Sequence, residues 1–306
     1  MRRLDYQLVD VFTNRAFGGN PLAVFADAGE LPTELMQAIA KELNLSETTF
    51  VAPPRNAQDD FRVRIFTPAS ELPMAGHPTV GTAYVLAKQG RITPSETVTK
   101  VNFEEGVGTI TVAVSFKDGA PDSIEMQQPL PVFGPRIEDV EKIAEMLSLE
   151  AEAIKATGLP VEVVSCGVPF LYVPLKNLDA IRRVRVRLDV WENAFRDVVP
   201  PEVFVFTQEV ENPGSNVHSR MFAPALGIVE DPATGAASGP LGCYLVRHSV
   251  VAPAPRVEIT SEQGIEMNRP SFIKIGIEQH AGEITRVHIS GQCVLMGGGY
   301  FELEQA

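Results

Sequence analysis

The chain has 306 residues, 44% of them hydrophobic and 21% charged, which suits one large or two medium folded domains and excludes a disordered or fibrous class. Its net charge of −13 argues against a nucleic acid or an anionic membrane surface as partner, but it allows a small anionic substrate at a locally positive site. Three cysteines without a C-x-x-C pair argue against a disulfide framework or a structural zinc site.

The first residues run directly into an alternating strand pattern and lack the apolar core of a signal peptide. No uninterrupted apolar run approaches about 18 residues, the length that a membrane span needs. We therefore expect a soluble, cytoplasmic protein with reduced thiols and no membrane partner.

Strands in the first half are predicted from alternating or β-branched and aromatic residues at 6–12, 22–25, 45–51, 61–66, 98–103 and 108–116. One helix begins at Pro32 and Thr33 and ends near Asn44. A second helix, over 79–88, is opened by Gly76-His77-Pro78, because proline is favourable just inside a helix start. Small residues along the second helix would let it lie close against other backbone, as suits a helix buried inside a sheet.

The second half is predicted to have helices near 138–147 and 188–197 and strands at 161–165, 170–173, 203–207, 217–222, 257–260, 272–277, 285–290 and 299–303. Its central stretch, 230–246, begins with acidic and turn-forming residues and continues from Gly235 as a helix of small residues. Many short strands with two central helices favour an α+β fold over alternating βαβ units.

The two halves share a pattern that indicates an internal duplication. Arg64-Ile-Phe-Thr-Pro68 aligns with Arg220-Met-Phe-Ala-Pro224 at an offset of 156 residues, and Gly76 aligns with Gly235 at an offset of 159. A three-residue insertion in the second loop reconciles the offsets. The first N–H groups of each helix lack intrahelical partners and carry partial positive charge, which suits a carboxylate. An ordinary polar helix start explains either stretch alone, whereas the repetition favours two carboxylate-binding starts at a shared cleft.

Glu47 is a carboxylate set between apolar and hydroxyl-bearing residues of the predicted strand 45–51. One interpretation is an exposed carboxylate on an edge strand, since glutamate is seldom buried without a partner. The other is a buried acid that transfers protons and whose pKa is moved by its surroundings. The strand pattern leaves both interpretations open.

Motifs of several other enzyme classes are absent from the sequence. Gly297-Gly-Gly299 lacks the G-x-G-x-x-G spacing of a dinucleotide site, and no G-x-S-x-G motif occurs. The five histidines include no H-x-x-x-H pair, so the sequence does not support a metal site.

Five separated segments resemble the signature segments of the phenazine-biosynthesis isomerase family (PhzF-like), and this resemblance runs from about Tyr6 to the closing strands. The segments are Gly19-Asn20-Pro21-Leu-Ala-Val-Phe25, Asn44-Leu-Ser-Glu-Thr-Thr-Phe-Val51, Arg64-Ile-Phe-Thr-Pro68, Glu71-Leu-Pro-Met-Ala-Gly-His-Pro78 and Glu230-Asp-Pro-Ala-Thr-Gly235.

The resemblance implies the diaminopimelate-epimerase-like fold, in which two similar domains each wrap a sheet around a central helix and the active site lies between them. Because the C-terminal strand of the family returns to the first domain, we expect one domain of residues 1–117 plus 292–306 and another of residues 118–291. The resemblance also implies an isomerase that needs no cofactor and is often a homodimer. The best-understood member converts trans-2,3-dihydro-3-hydroxyanthranilate to its ketone tautomer by proton transfer on the ring.

The resemblance also assigns roles to single residues. Glu47 matches the acid/base that takes a proton from one ring carbon and returns it to another. His77 and Asp231 match residues that line the site and bind polar groups of the substrate, and we expect all three in the catalytic set. Gly76 and Gly235 match backbone donors to the substrate carboxylate. A desolvated carboxylate has a raised pKa and can act as both base and acid near neutral pH.

Ala236, also expected in the substrate-binding set, departs from the family pattern, which has serine there in the member used for comparison. Backbone donation survives, but a hydroxyl contact is lost, so the substrate's identity stays open. One alternative function is a carboxylate-binding protein of this fold without catalysis. Another is a two-base epimerase or racemase, which needs paired thiols at the positions of His77 and Ala236, whereas Cys166, Cys243 and Cys293 lie elsewhere.

Overall fold

The computed structural model of the protein describes residues 2–197, 200, 202–224, 227–252 and 254–303. Over these residues the chain forms two compact units, residues 2–127 with 290–303 and residues 128–289. The domain boundary expected at 117/118 falls inside an antiparallel hairpin of Gly108–Lys117 with Ala120–Gln128. Met1 and residues 304–306, which the expected first domain includes, lie outside the described residues.

The first unit contains two helices, α1 (Thr33–Leu43) and α2 (Gly76–Lys88). Its strands are β1 (Arg2–Val11), β2 (Asn20–Phe25), β3 (Glu47–Ala52), β4 (Phe61–Phe66), β5 (Glu71–Leu72), β6 (Val98–Glu105), β7 (Gly108–Lys117), most of β8 (Ala120–Gln128), and β18 (Cys293–Leu303). α1 ends where the sequence predicts, because Asn44 adopts the left-handed conformation that terminates a helix.

The sheet of the first unit alternates antiparallel and parallel pairs. β1 pairs antiparallel with β18 and with β2, β2 runs parallel to β3, β3 pairs antiparallel with β4, β4 runs parallel to β6, and β6 pairs antiparallel with β7. Every residue of α2 from Gly76 to Ala87 is buried. Because this helix is buried on all sides, none of its faces contacts water, and its residues are mostly small and apolar.

Helix α2 approaches the sheet most closely at Gly81. A Cβ atom at this position would lie 2.6 Å from Leu22 Cδ2 and 2.7 Å from Val11 Cγ2, and both neighbours are fully buried. In the next residue, Thr82 Oγ1 forms a 2.8 Å hydrogen bond with Thr49 Oγ1 of β3. The small residues of this helix therefore let side chains of the sheet pack closely against it, whereas the sequence predicted an approach to other backbone.

The second unit contains helices α3 (Val140–Met146), α4 (Glu152–Lys155), α5 (Leu178–Arg183), α6 (Leu188–Ala194) and α7 (Gly235–Arg247). Its strands are β9 (Val132–Arg136), β10 (Glu162–Ser165), β11 (Pro169–Pro174), β12 (Val203–Thr207), β13 (Val217–Ala223), β14 (Ile228–Asp231), β15 (Arg256–Gln263), β16 (Ser271–His280) and most of β17 (Glu283–Gly291). Within the part of the chain that the structure describes, no helix is both long and apolar enough to span a membrane.

The second unit repeats the pairing order of the first. β10 pairs antiparallel with β11, β11 runs parallel to β12, β12 pairs antiparallel with β13, β13 runs parallel to β15, and β15 pairs antiparallel with β16. α7 is the counterpart of α2, and its residues from Gly235 to Leu245 are buried. Each unit thus has an α+β fold in which a sheet surrounds one buried helix, as the sequence predicts.

The duplication extends to a matched pair of ion pairs. Arg64 binds Glu71 through two bonds of 2.7 Å and lies over the Phe66 ring. Arg220 binds Glu230 through two bonds of 2.8 Å and lies over the Phe222 ring. The arginines are 156 residues apart and the glutamates 159 apart, so the inserted residues lie between arginine and glutamate. The internal duplication read from the sequence is confirmed.

Several short elements were not predictable from sequence periodicity. α4 and α5 have four and six residues, too few to show an apolar stripe. The helix expected over 188–197 ends at Ala194, because Phe195 leaves the helical conformation at φ −130°.

The close approach at Gly81 predicts that Gly81→Val destabilises the protein by about 1–3 kcal/mol, the usual cost of overpacking a dense core. Urea unfolding of the variant and the parent measures this. The matched control is Gly214→Val, because Gly214 is exposed and a Cβ atom there meets nothing within 4 Å. Equal stability of the two variants would contradict the close packing of α2.

Candidate active site

Glu47 is the first residue of β3, which runs between β2 and β4. The residue is only 9% exposed, so its interpretation as an exposed carboxylate on an edge strand is wrong. Glu47 Oε2 lies 3.2 Å from Nε2 of His77, the second residue of α2. The fold thus brings together the carboxylate and the histidine that the sequence singled out in the first unit.

The His77 imidazole is held in one tautomer. Asn20 Nδ2 lies 3.2 Å from His77 Nδ1, and because an amide nitrogen only donates, Nδ1 is the acceptor. The ring proton then lies on Nε2, the nitrogen nearest Glu47. Burial lowers the pKa of His77 to about 3, so the ring is neutral near pH 7. A neutral Nε2–H beside a carboxylate supplies a dipole without taking the carboxylate's proton.

The start of α2 adds hydrogen-bond donors beside this pair. The helix has no side-chain cap and no acidic residue in its first turn. Pro78 has no N–H group, so the amides of Gly76 and His77 are the donors of the first positions. With the helix dipole, these amides make a positive end suited to a carboxylate.

Asp231, the last residue of β14, is the centre of the corresponding cluster in the second unit and is 4% exposed. Its Oδ2 accepts a 2.6 Å hydrogen bond from Thr234 Oγ1. Gln263 donates to the Asp231 carbonyl at 2.8 Å and accepts from the Thr234 amide at 3.0 Å. The turn that precedes α7 is therefore fixed by side chains on both of its sides.

Helix α7 begins at Gly235 with Ala236 second, and it too lacks a side-chain cap and an early acidic residue. The Ala237 and Ser238 amides donate to the Thr234 carbonyl at 3.2 and 3.1 Å, which leaves the amides of Gly235 and Ala236 as the first donors. The Ser238 hydroxyl donates to the same carbonyl at 2.9 Å and is fully buried. It does not replace the serine that the family pattern has at position 236.

The predicted site residues therefore fall into two clusters, one in each unit. Glu47, Gly76 and His77 are neighbours in the first unit, and Asp231, Gly235 and Ala236 are neighbours in the second. Asn20 is a further residue of the first cluster that was not expected there, although its Gly19-Asn20-Pro21 segment was available as a signal. Gln263 of the second cluster was not expected either, since it lies beyond the predicted strand 257–260 and belongs to no motif.

A second cluster of titratable groups surrounds His218 of β13. Its Nδ1 lies 2.9 Å from Glu262 Oε1, and its Nε2 lies 3.0 Å from Glu266 Oε1. Burial lowers the pKa of His218, but the two carboxylates outweigh burial and raise it to about 9. Glu262 also accepts from the amides of Glu211 and Asn212. This cluster ties a loop to the sheet, and within the described residues no group of three or more His, Cys, Asp or Glu is placed to hold a metal ion.

Comparison with known proteins gives matches over nearly the whole chain. The sequence profile of the family described as "Phenazine biosynthesis-like protein" matches residues 9–299. The trans-2,3-dihydro-3-hydroxyanthranilate isomerase of Pseudomonas fluorescens is 38% identical over 300 residues, which cover 96% of this chain and 98% of that protein. A PhzF-family phenazine biosynthesis protein of Bacillus anthracis, 27% identical, superposes with a TM-score of 0.89 and covers 99% of this chain and 100% of that chain.

A more distant structure bears on the fold alone. A hydroxyproline epimerase of Agrobacterium vitis superposes with a TM-score of 0.67 at 14% identity, covering 98% of this chain and 91% of that chain. The expected α+β fold class is confirmed. Because the family profile spans nearly the whole chain and a relative is 38% identical over it, the chain belongs to the phenazine biosynthesis-like (PhzF) family of isomerases.

Proposed function

We propose that the protein is a cofactor-independent isomerase that moves a proton within a small cyclic carboxylate. The similar Pseudomonas fluorescens protein is named as an isomerase of such a compound, trans-2,3-dihydro-3-hydroxyanthranilate. The observation that carries the proposal is the buried Glu47 carboxylate, 3.2 Å from a neutral imidazole and next to an uncapped helix start. This group combines a proton acceptor with donors for an anionic substrate.

In the proposed reaction Glu47 accepts the proton of a ring C–H bond. The electron pair of that bond moves into the neighbouring double-bond system of the ring, and Glu47 then returns the proton to a different ring carbon. Substrate and product have the same atoms and the same oxidation level, so the step needs no redox partner. General acid–base catalysis by one carboxylate fits this balance.

His77 supports the ionised form of Glu47 in this scheme. Its Nε2–H lies beside the carboxylate, and its Nδ1 is held by Asn20, so the ring keeps its orientation while the proton moves. Because burial keeps His77 neutral, it stabilises charge by a dipole and does not protonate the substrate.

The Gly76 amide in the first unit and the Gly235 amide in the second are each proposed as donors to a substrate carboxylate, and Asp231 is proposed to contact another polar group. Both helix starts lack an internal cap, and a carboxylate bound by backbone N–H groups needs no arginine. The Thr234 hydroxyl bond holds Asp231 in a fixed rotamer for such a contact.

The two alternative functions differ in what they require. A two-thiol epimerase requires cysteines at the second helix positions, which here are His77 and Ala236, and Cys243 lies within α7 instead. A binding protein without catalysis requires no acid/base, so this function gives the buried Glu47 no role. The isomerase is therefore the better supported function. A homodimer in the cytoplasm remains part of this proposal, on the family resemblance.

Replacing Glu47 tests the proposed acid/base. Glu47→Gln keeps the shape of the side chain and removes the titrating group, so we expect turnover of trans-2,3-dihydro-3-hydroxyanthranilate to fall by about 10²- to 10⁴-fold. Steady-state kinetics measure the change, and an unchanged melting temperature shows that the fold survives. The matched control is Glu42→Gln, an exposed glutamate on α1, which should retain full turnover. Undiminished turnover in Glu47→Gln would remove Glu47 from the mechanism.

The protonation state of His77 is open to direct observation. Because burial lowers its pKa to about 3, we expect the ring to stay neutral, with its proton on Nε2, from about pH 5 to pH 8. Nitrogen NMR shifts, assigned by their loss in His77→Gln, report both the charge and the tautomer. A titration midpoint near that of free histidine would show that His77 is charged during part of this range.

Restoring a hydroxyl at position 236 tests whether the departure from the family pattern changes substrate use. We expect Ala236→Ser to lower the KM for trans-2,3-dihydro-3-hydroxyanthranilate about 2- to 10-fold, the value of one hydrogen bond. Ala236→Gly is the control, because it alters the side chain without adding a hydroxyl. Equal KM values in the two variants would show that the hydroxyl contact does not matter.

A further inference from the structure

Glu105 is a buried carboxyl group for which the proposed reaction has no use. It is the last residue of β6 and is 6% exposed. Its Oε1 lies 2.5 Å from Thr79 Oγ1, in the first turn of α2. The turn that follows Glu105 packs on the segment before α2, because the Val107 amide donates to the Pro73 carbonyl at 3.1 Å. Glu105 therefore lies against the start of the helix that carries Gly76 and His77.

The hydroxyl of Thr79 connects Glu105 to the peptide that begins α2. Thr79 Oγ1 also lies 2.7 Å from the Ala75 carbonyl oxygen, which only accepts hydrogen bonds. A hydroxyl has one proton, so when Thr79 donates to Ala75 its remaining partner must donate to it. When Glu105 is protonated, both hydrogen bonds run in one direction: Glu105 O–H donates to the Thr79 hydroxyl, and Thr79 O–H donates to the Ala75 carbonyl.

The surroundings of Glu105 favour the protonated form. Burial raises its pKa to about 8, while the Thr79 bond opposes the shift. Its charged neighbours are engaged elsewhere: Glu104 accepts from the Arg55 amide and lies near Arg62 of β4, and Glu71 of β5 is bound by Arg64. His77 on α2 is neutral, so its imidazole does not favour the ionisation of Glu105.

The second unit contains a natural comparison. β4 and β6 align at Phe61 and Phe103, and β13 and β15 align at Val217 and Ser261. Because Phe61 and Val217 are equivalent in the duplication, the strand ends Glu105 and Gln263 are equivalent too. Gln263, a permanently neutral amide, bonds to the amide and the hydroxyl of Thr234 just before α7.

The hydroxyl contact is also repeated in the second unit. Ser238 is the counterpart of Thr79, and its hydroxyl donates to the Thr234 carbonyl at 2.9 Å, as that of Thr79 does to the Ala75 carbonyl. In each unit a side chain at a strand end thus forms a hydrogen bond beside the start of the buried helix, Glu105 with Thr79 and Gln263 with Thr234.

We propose that Glu105 is a positioning residue that acts as a neutral carboxylic acid, holding the Ala75–Gly76 peptide through Thr79 so that the Gly76 N–H points to the substrate carboxylate. The inference rests on the proposed carboxylate-binding role of Gly76. Donation to the Ala75 carbonyl polarises the same peptide whose N–H belongs to Gly76, and hydrogen bonds in such a chain strengthen one another. Gln263, an amide, lies at the corresponding strand end and bonds to Thr234 before α7.

Three variants separate hydrogen bonding from packing. Glu105→Gln keeps a neutral donor and copies the second unit, so it should retain turnover of trans-2,3-dihydro-3-hydroxyanthranilate within about twofold. Glu105→Met fills similar space without a donor and should lose about tenfold in kcat/KM, as expected for one buried hydrogen bond to the site. Thr79→Val should lose a similar amount. Equal activity of the Gln and Met variants would overturn the proposal.

A second measurement needs no catalysis and separates this inference from the proposed function. The folded parent keeps a proton on Glu105 from its ordinary pKa of 4.5 up to about 8, whereas the unfolded chain loses it, so folded-state stability falls as pH rises through this range. The Glu105→Gln variant has no carboxyl group at this position and therefore lacks this pH-dependent fall in stability. Its melting temperature should match the parent's near pH 4.5 and exceed it increasingly towards pH 8. A difference that does not change with pH would show that Glu105 is ionised and would overturn the proposal.

Binding of anthranilate, an aromatic carboxylate, tests the effect of Glu105 on carboxylate binding at Gly76 even if the protein turns over no substrate. Calorimetric titration should give similar Kd values for the parent and Glu105→Gln and a Kd about tenfold weaker for Glu105→Met. If the parent binds anthranilate in this order but isomerises nothing, the proposed reaction fails and the positioning role stands. If Glu105→Met binds as tightly as the parent, the positioning role fails, whatever the result for Glu47.

Discussion

The burial of one helix on all sides in each unit is the constraint on which the other features depend. A helix start inside a protein must have its amide N–H groups satisfied, because unpaired buried donors are costly. α2 and α7 have neither a side-chain cap nor an early acidic residue, and we propose that a ligand pairs with their first amides. Small residues such as Gly81 then allow the sheet to enclose the helix, and the surrounding strand ends bring side chains to its start.

The duplication separates the features that both units share from the residues that differ between them. The arginine–glutamate pairs, the order of strand pairing and the hydroxyl contacts of Thr79 and Ser238 occur in both units. The second helix position differs, with His77 in one unit and Ala236 in the other. The two units therefore share one fold, and the first unit carries the His77 imidazole with the neighbouring Glu47 carboxylate.

Much of this was predictable from the sequence because the informative residues are regularly spaced. α1, β4 and the start of α7 lie where the pattern predicts, and the insertion was found from the two offsets, 156 and 159. The burial of Glu47 was not decidable, since a strand residue reads the same at an edge and inside a sheet. Glu105 was missed for a related reason: it ends an ordinary strand, and its partner Thr79 becomes a neighbour only through the fold.

An experiment in heavy water is the most direct test of proton transfer by Glu47. The parent protein and Glu47→Gln are each incubated with trans-2,3-dihydro-3-hydroxyanthranilate in D₂O, and NMR follows the ring positions of substrate and product. We expect the parent to form the isomer, with the transferred proton or a solvent deuteron at the new carbon, and Glu47→Gln to form almost none. Binding of the compound by the parent without isomer or exchange, or equal isomer formation by both proteins, would contradict proton transfer by Glu47.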